Sequence, residues 1–124
     1  MKRVIATPDA PKAVGPYSQA IEVNGTLYIS GQIPVNPADG KVQEDSVAAA
    51  HQSLKNIGAI LKEAGMTYDY VVKTTVLLAD IADFKAVNDV YADYFTGDKP
   101  ARACYQAAAL PLGVKVEIEA IAVK

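Results

Sequence analysis

The chain has 124 residues, 21% of them charged, with a net charge of −2 and a pI of about 5.3, which fits one domain over residues 1–124 with one modest core. The acidic balance argues against a nucleic-acid backbone as ligand, and no apolar run reaches the roughly 18 residues that a membrane span needs. A single cysteine and the lone His51 exclude an internal disulfide and a structural zinc site, and no long apolar segment follows Met1-Lys2-Arg3, so a cytoplasmic location is expected.

Val4 to Thr7 reads as a short strand cut by Pro8, and Pro11, Gly15 and Pro16 mark a loop. Ser18–Val23 and Thr26–Ser30 are strand-like and flank Asn24-Gly25, the dipeptide best suited to a two-residue hairpin because both turn positions need positive φ. That turn sets Val23 opposite Thr26, Ile21 opposite Tyr28 and Ser18 opposite Gly31, so Gly15-Pro16-Tyr17-Ser18 comes to lie beside Ser30-Gly31-Gln32. After a turn-rich loop from Pro34 to Gly40, Asp45 or Ser46 caps a helix whose apolar stripe is Val47, Ala50, Leu54, Ile57 and Leu61, and Gly65 ends it. Tyr70–Leu78 is a strand rich in Val and Thr. A second helix runs from about Asp83 to Phe95 with Phe84, Val87, Tyr91 and Tyr94 on one stripe, and strands follow over Ala101–Ala107 and Val114–Val123. Two helices among about six strands predict an α+β fold, a sheet with both helices packed on one face.

The last strand tests this layering. Val114, Val116, Ile118, Ala120 and Ala122 suit a face under the helices, whereas Lys115, Glu117, Glu119, Ile121 and Val123 take the opposite face. Helices on one side leave that second face bare, and burying a residue the size of Ile or Val is worth about 1.5–3 kcal/mol. Contact with another copy of the chain is the expected remedy.

Among the charges inside these last strands, Arg102 and Glu117 stand out. A charge in an apolar strand is costly unless something pairs with it. Arg102 either makes an ion pair with a strand glutamate such as Glu117 or Glu119, or grips the carboxylate of a ligand through its two-pronged donor geometry. Cys104 shares a face with Arg102 and reads as a thiolate nucleophile or, with no histidine near it, as a small apolar residue. His51 reads as structural, and Tyr28, Tyr91 and Tyr94 as core aromatics.

Gly15-Pro16-Tyr17-Ser18-Gln19, Ser30-Gly31-Gln32-Ile33-Pro34, Val72-Lys73-Thr74-Thr75-Val76, Val87-Asn88 with Tyr91, Pro100-Ala101-Arg102 and Val116-Glu117-Ile118-Glu119-Ala120-Ile121-Ala122, in this order, resemble the RidA/YjgF/YabJ family of reactive-intermediate deaminases, also labelled endoribonuclease L-PSP or translation-initiation inhibitors. The resemblance covers nearly the whole chain. It implies a chorismate-mutase-like α+β fold, a homotrimer with clefts between subunits, and cofactor-free, metal-free hydrolysis of 2-imino acids such as 2-iminopropanoate and 2-iminobutanoate to 2-keto acids and ammonia. Such imines arise from pyridoxal-phosphate enzymes that eliminate water from serine or threonine. The matched positions imply that Arg102 binds the carboxylate, Glu117 holds the attacking water, Tyr17 closes over the substrate, and Ser30, Gly31, Asn88 and Cys104 line the site. On pattern alone Glu119 rivals Glu117, and Asn88 is a helix-surface residue.

The chain departs from the family after Arg102, where Ser-Cys-Val-Glu-Val-Ala-Arg-Leu-Pro-Lys-Asp is common and Ala103-Cys104-Tyr105-Gln106-Ala107-Ala108-Ala109-Leu110-Pro111-Leu112-Gly113 stands here. That change bears on substrate preference and subunit contact. A ribonuclease or translation inhibitor would favour basic surface and general acid–base pairs, which the chain lacks, and a ligand-sensing or chaperone-like trimer would use Arg102 without turnover.

Overall fold

Asn24 and Gly25 have φ of 50° and 79°, the left-handed pair that a tight hairpin requires. They join β2 (Ala20–Val23) to β3 (Thr26–Gln32) in the expected register, Val23 opposite Thr26 and Ile21 opposite Tyr28. The computed structural model describes all residues, 1–124. β1 (Arg3–Ile5) lies on the outer side of β2, and β6 (Val116–Val123) pairs antiparallel with β3. β4 (Val71–Leu78) pairs antiparallel with β6 and parallel with β5 (Ala101–Gln106). The sheet therefore runs β1-β2-β3-β6-β4-β5 and ends in β5 as an edge strand. The parallel β4–β5 pair needs a crossover, and α2 (Phe84–Tyr94) supplies it.

Both helices cover one face. α1 (Ser46–Glu63) starts at Asp45, whose carboxylate accepts from the Ala48 amide at 3.0 Å, and stops before Gly65, at φ 74°. Ala50, Leu54, Ile57 and Leu61 are fully buried beneath it, together with Val116, Ile118 and Ala122 from β6. The stripe begins one turn later than its first apolar residue, because Val47 in the opening turn stays exposed. On α2, Val87, Val90 and Tyr91 are buried, whereas Phe84 at the helix start is 39% exposed.

The other face is bare and apolar in a row. Val4, Ile21, Tyr28 and Ile121 occupy matching positions on β1, β2, β3 and β6; Val4 is 59% exposed and Tyr28 49%. Tyr28 is thus no core aromatic. Its strand alternates, and Leu27 and Ile29 take the helix side.

Three side chains, two of them buried, tie down the loops at one end of the sheet. The Gln19 carboxamide accepts from the Thr7 amide at 2.8 Å and donates to the carbonyls of Thr7, Ala10 and Pro11. Asn56 on α1 donates to Ile33 and Val35 carbonyls at 3.2 and 3.0 Å. The Ser30 hydroxyl donates to the Ser18 carbonyl at 2.6 Å, while the Ser30 amide donates to Gln19. Strand β2 begins at Ala20 rather than Ser18 because side chains take over the pairing there. None of the helices is long and apolar enough to cross a membrane.

Gly58 shows how tightly α1 packs. Tyr68 donates to the Leu54 carbonyl at 2.7 Å, and a Cβ at Gly58 would overlap its hydroxyl. Gly58→Ala is expected to destabilise the fold by about 1–3 kcal/mol, the usual cost of overpacking, despite alanine's better helix propensity. Urea unfolding followed by circular dichroism measures it.

Candidate active site

Register places Arg102 opposite Thr74, a buried residue of the helix face, so Arg102 emerges from edge strand β5 towards α2. On α2, Phe84, Asn88 and Tyr91 are spaced four and three residues apart and share one side. The guanidinium lies among them. Its Nη1 donates to Asn88 Oδ1 at 2.6 Å. Its central carbon lies 4.8 Å from the Tyr91 ring centroid and 5.7 Å from that of Phe84. No carboxylate joins this group. The ion pairs of the chain are Arg3–Glu22, Lys124–Glu22 and Lys85–Asp89. The strand ion pair with Glu117 or Glu119 therefore does not form, and Asn88, far from being a mere surface residue, holds the arginine.

Cys104 stands two residues on, opposite Val76, and its side chain packs against the core. Burial pushes its thiol pKa up, and the Arg102 charge opposes this. A thiol so held stays protonated near neutral pH, which argues against a thiolate nucleophile.

Glu117 lies on the opposite face. Its strand neighbours Val116 and Ile118 are buried under the helices, and Leu77 of β4 is its partner. A β-bulge in β3 brings a second element to it. Ile29 pairs with Ala120 but Gln32 pairs with Ile118, so Ser30 and Gly31 share the space opposite one residue. The Glu117 side chain crosses directly over Gly31, where a Cβ would overlap Oε2 and Cδ of the carboxylate. Burial, and secondarily the Glu119 charge two residues away, raises the Glu117 carboxyl pKa above its ordinary value.

Tyr17 is half-exposed on the loop that Gln19 pins. With Gly31, Gln32 and Leu112 it lines a groove of about 290 Å³. Leu112, one of the residues that departs from the common family pattern, adopts φ 58° and is exposed at this rim. The expected approach of Tyr17-Ser18 to Ser30-Gly31 is present. The Ser30 hydroxyl proton, however, is already directed to Ser18, so only the lone pairs of that oxygen remain for a ligand. His51 is engaged elsewhere, with Nδ1 2.8 Å from the Tyr94 hydroxyl. No group of three or more His, Cys, Asp or Glu side chains is placed to hold a metal.

Two half-sites result. Arg102, Asn88 and Cys104 form one on the helix face at the sheet edge; Glu117, Gly31, Ser30 and Tyr17 form the other on the bare face. β4 lies between their strands, so about 10 Å of sheet separates them as well as its thickness. Within one chain they cannot meet on one small ligand. Sequence reasoning missed the bulge, the Gln19 clamp and the Tyr91 shelf; only the three-residue step from Asn88 to Tyr91 hinted at the last.

The family model described as Endoribonuclease L-PSP matches residues 7–124. The chain belongs to this family, the RidA/YjgF/YabJ family. A mouse member, 56% identical over 100% of this chain and 93% of its own length, is named 2-iminobutanoate/2-iminopropanoate deaminase. Among solved structures, the Escherichia coli YjgF gene product superposes with a TM-score of 0.96 at 47% identity, covering 98% of either chain. Escherichia coli TdcF with bound serine gives 0.94 at 42% identity, again over 98% of each. The sheet order and paired helices are therefore those of the family.

The raised Glu117 pKa makes a stability prediction with a definite sign. In the pH range between its ordinary and raised values the folded chain binds more protons than the unfolded one, so stability falls as pH rises through that range. At neutral pH the buried carboxylate is destabilising. Glu117→Gln should raise the urea midpoint at pH 7, and the gain should vanish at a pH below the ordinary carboxylate range. Paired denaturation curves at the two pH values check it.

Proposed function

We propose that the chain is a cytoplasmic 2-iminobutanoate/2-iminopropanoate deaminase, working as a homotrimer with each site shared by two subunits. The observation that carries this reading is the Arg102 guanidinium, half-buried among neutral groups, with one donor on Asn88 and no carboxylate of its own chain. Such a group fits a small carboxylate ligand. The serine bound in TdcF carries a carboxylate, and the mouse relative's name specifies two 2-imino acids.

The chemistry follows from the two half-sites. Arg102 of one subunit binds the substrate carboxylate through parallel hydrogen bonds and orients the adjacent C=N carbon. Glu117 of the next subunit, in its ionised form, accepts a proton from a water whose oxygen adds to that carbon. Glu117 returns that proton to the imine nitrogen to complete the carbinolamine, then relays the carbinolamine hydroxyl proton to the same nitrogen, so that the C–N bond breaks as the C=O forms and ammonia leaves the 2-keto acid. Gly31 gives Glu117 room, Tyr17 closes the groove side, and Ser30, Asn88 and Cys104 complete the walls. The row Val4, Ile21, Tyr28 and Ile121 gives the assembly its apolar contact surface. Ribonuclease action, which the family description names, finds less support. The net charge is −2, and the one histidine is committed to Tyr94.

Imine generated in situ by a threonine dehydratase or an amino-acid oxidase should disappear faster with the protein than without it. Arg102→Ala should abolish the acceleration with the fold intact, and Arg102→Lys, which loses the fork, should be severely impaired. Gly31→Ala should lower kcat about 10-fold or more by displacing Glu117, whereas Cys104→Ser should retain most activity. An unchanged background rate with wild-type protein sinks the reading.

Shared sites make a sharper demand. Arg102→Ala and Glu117→Gln should each be inactive, but co-refolded together they should recover about a quarter of wild-type activity, since random assembly pairs an intact Arg102 with an intact Glu117 at one interface in four. No recovery in mixed oligomers would place both groups in one chain's site.

A further inference from the structure

Thr74 is fully buried in the middle of β4 and sits directly opposite Arg102. Its hydroxyl lies 2.7 Å from the Tyr91 hydroxyl. A buried hydroxyl pair of this kind anchors the far end of the ring that carries it, because swinging the ring away would leave two polar groups unsatisfied. The same ring carries the Arg102 guanidinium at 4.8 Å, inside cation–π range. Its other neighbour, Phe95, packs against the same ring at 4.6 Å between centroids with the planes 38° apart. Burial raises the Tyr91 hydroxyl pKa, with the Thr74 hydrogen bond and the Arg102 charge acting against the shift. The phenol therefore stays neutral, and no ion pair competes with the stacking.

Asn88 and Tyr91 constrain the arginine differently. The Asn88 amide takes one Nη1 hydrogen and sets where the fork ends. The ring gives the guanidinium a fixed surface to lie against. Since a carboxylate is gripped only in the plane of the guanidinium, the position of the ring helps set where a bound carboxylate is held.

We propose that Thr74 and Tyr91 are positioning residues for Arg102, the Thr74 hydroxyl locking the aromatic shelf that orients the carboxylate-binding fork. This rests on the deaminase reading and extends it to a residue that never touches the substrate. It makes Thr74 in the sheet interior a determinant of substrate affinity.

The test removes both hydroxyls together. In Thr74→Val/Tyr91→Phe the packing volume is nearly kept and no buried polar group is orphaned, so the thermal midpoint should stay within a few degrees of wild type. KM for 2-iminobutanoate should nonetheless rise about 3- to 30-fold, the range that a misaligned cation–π contact carries, with kcat changed much less. Dissociation constants for 2-oxobutanoate, the product, should rise in parallel. Thr74→Ser, which keeps the hydroxyl, should restore wild-type KM. The ring-current shift of the Arg102 Nε proton reports the shelf directly and should change in the double variant. Tyr91→Phe alone is the fallback should the double variant not fold, and it should show the same direction of KM change. Wild-type KM and an unmoved Nε shift in a folded variant overturn the inference. Arg102→Ala, run alongside, separates the two readings. Loss of 2-oxobutanoate binding there with normal binding in the double variant refutes only the shelf, whereas unaltered binding in Arg102→Ala refutes the carboxylate site itself.

Discussion

A positive charge held only by neutral groups is the constraint on which the architecture turns. Removing a guanidinium from water is costly, and proteins usually recover that cost with a carboxylate. Here an amide oxygen, an aromatic ring and the rim of the sheet do the holding. Such a cradle stabilises the charge enough to fold and leaves its strongest interaction unmade. A carboxylate from the same chain would have closed the question. Glu117 and Glu119, the two within sequence reach, are turned to the other side of the sheet by the alternation of β6.

That alternation also decides what the uncovered face of the sheet presents. A mostly antiparallel sheet with both helices on one side protects Leu27, Val76 and Ile118 completely but leaves Val4 and Tyr28 facing outward. The row of side chains across β1, β2, β3 and β6 is the kind of surface that a second copy covers. The same layering separates the acid from the arginine. One cause, the pleat of the sheet, thus makes the apolar face and puts Arg102 and Glu117 on opposite sides of the sheet. The raised pKa of Glu117 fits this picture, because its carboxyl is already partly withdrawn from water before any partner arrives.

Much of this was legible in residue order. Asn24-Gly25 set the hairpin register, because two adjacent positive φ angles leave the strands little choice. Asp45 and Gly65 marked the ends of α1, since each does one local job. The alternation of β6 assigned its buried face correctly from Val116 to Ala122. Tyr28 was misplaced because aromatic character says nothing about which face of a strand a position takes. Val47 was misplaced because helical periodicity marks a stripe without saying where the partner begins. The bulge at Ser30-Gly31 was invisible because it is a relation between β3 and β6, and neither strand alone encodes it.

Residue types and their spacing were enough to determine that the chain carries a sheet, two covering helices, an arginine beside a cysteine on one strand and a glutamate on another, since period, turn chemistry and caps are local properties. The family strings added which chemistry to expect of them. Only the tertiary structure decided that Arg102 rests on Tyr91 and Asn88, that Glu117 rides over Gly31, and that the two stand on opposite faces. Faces are assigned by strand order and register, and those are settled by contacts between segments far apart in the chain.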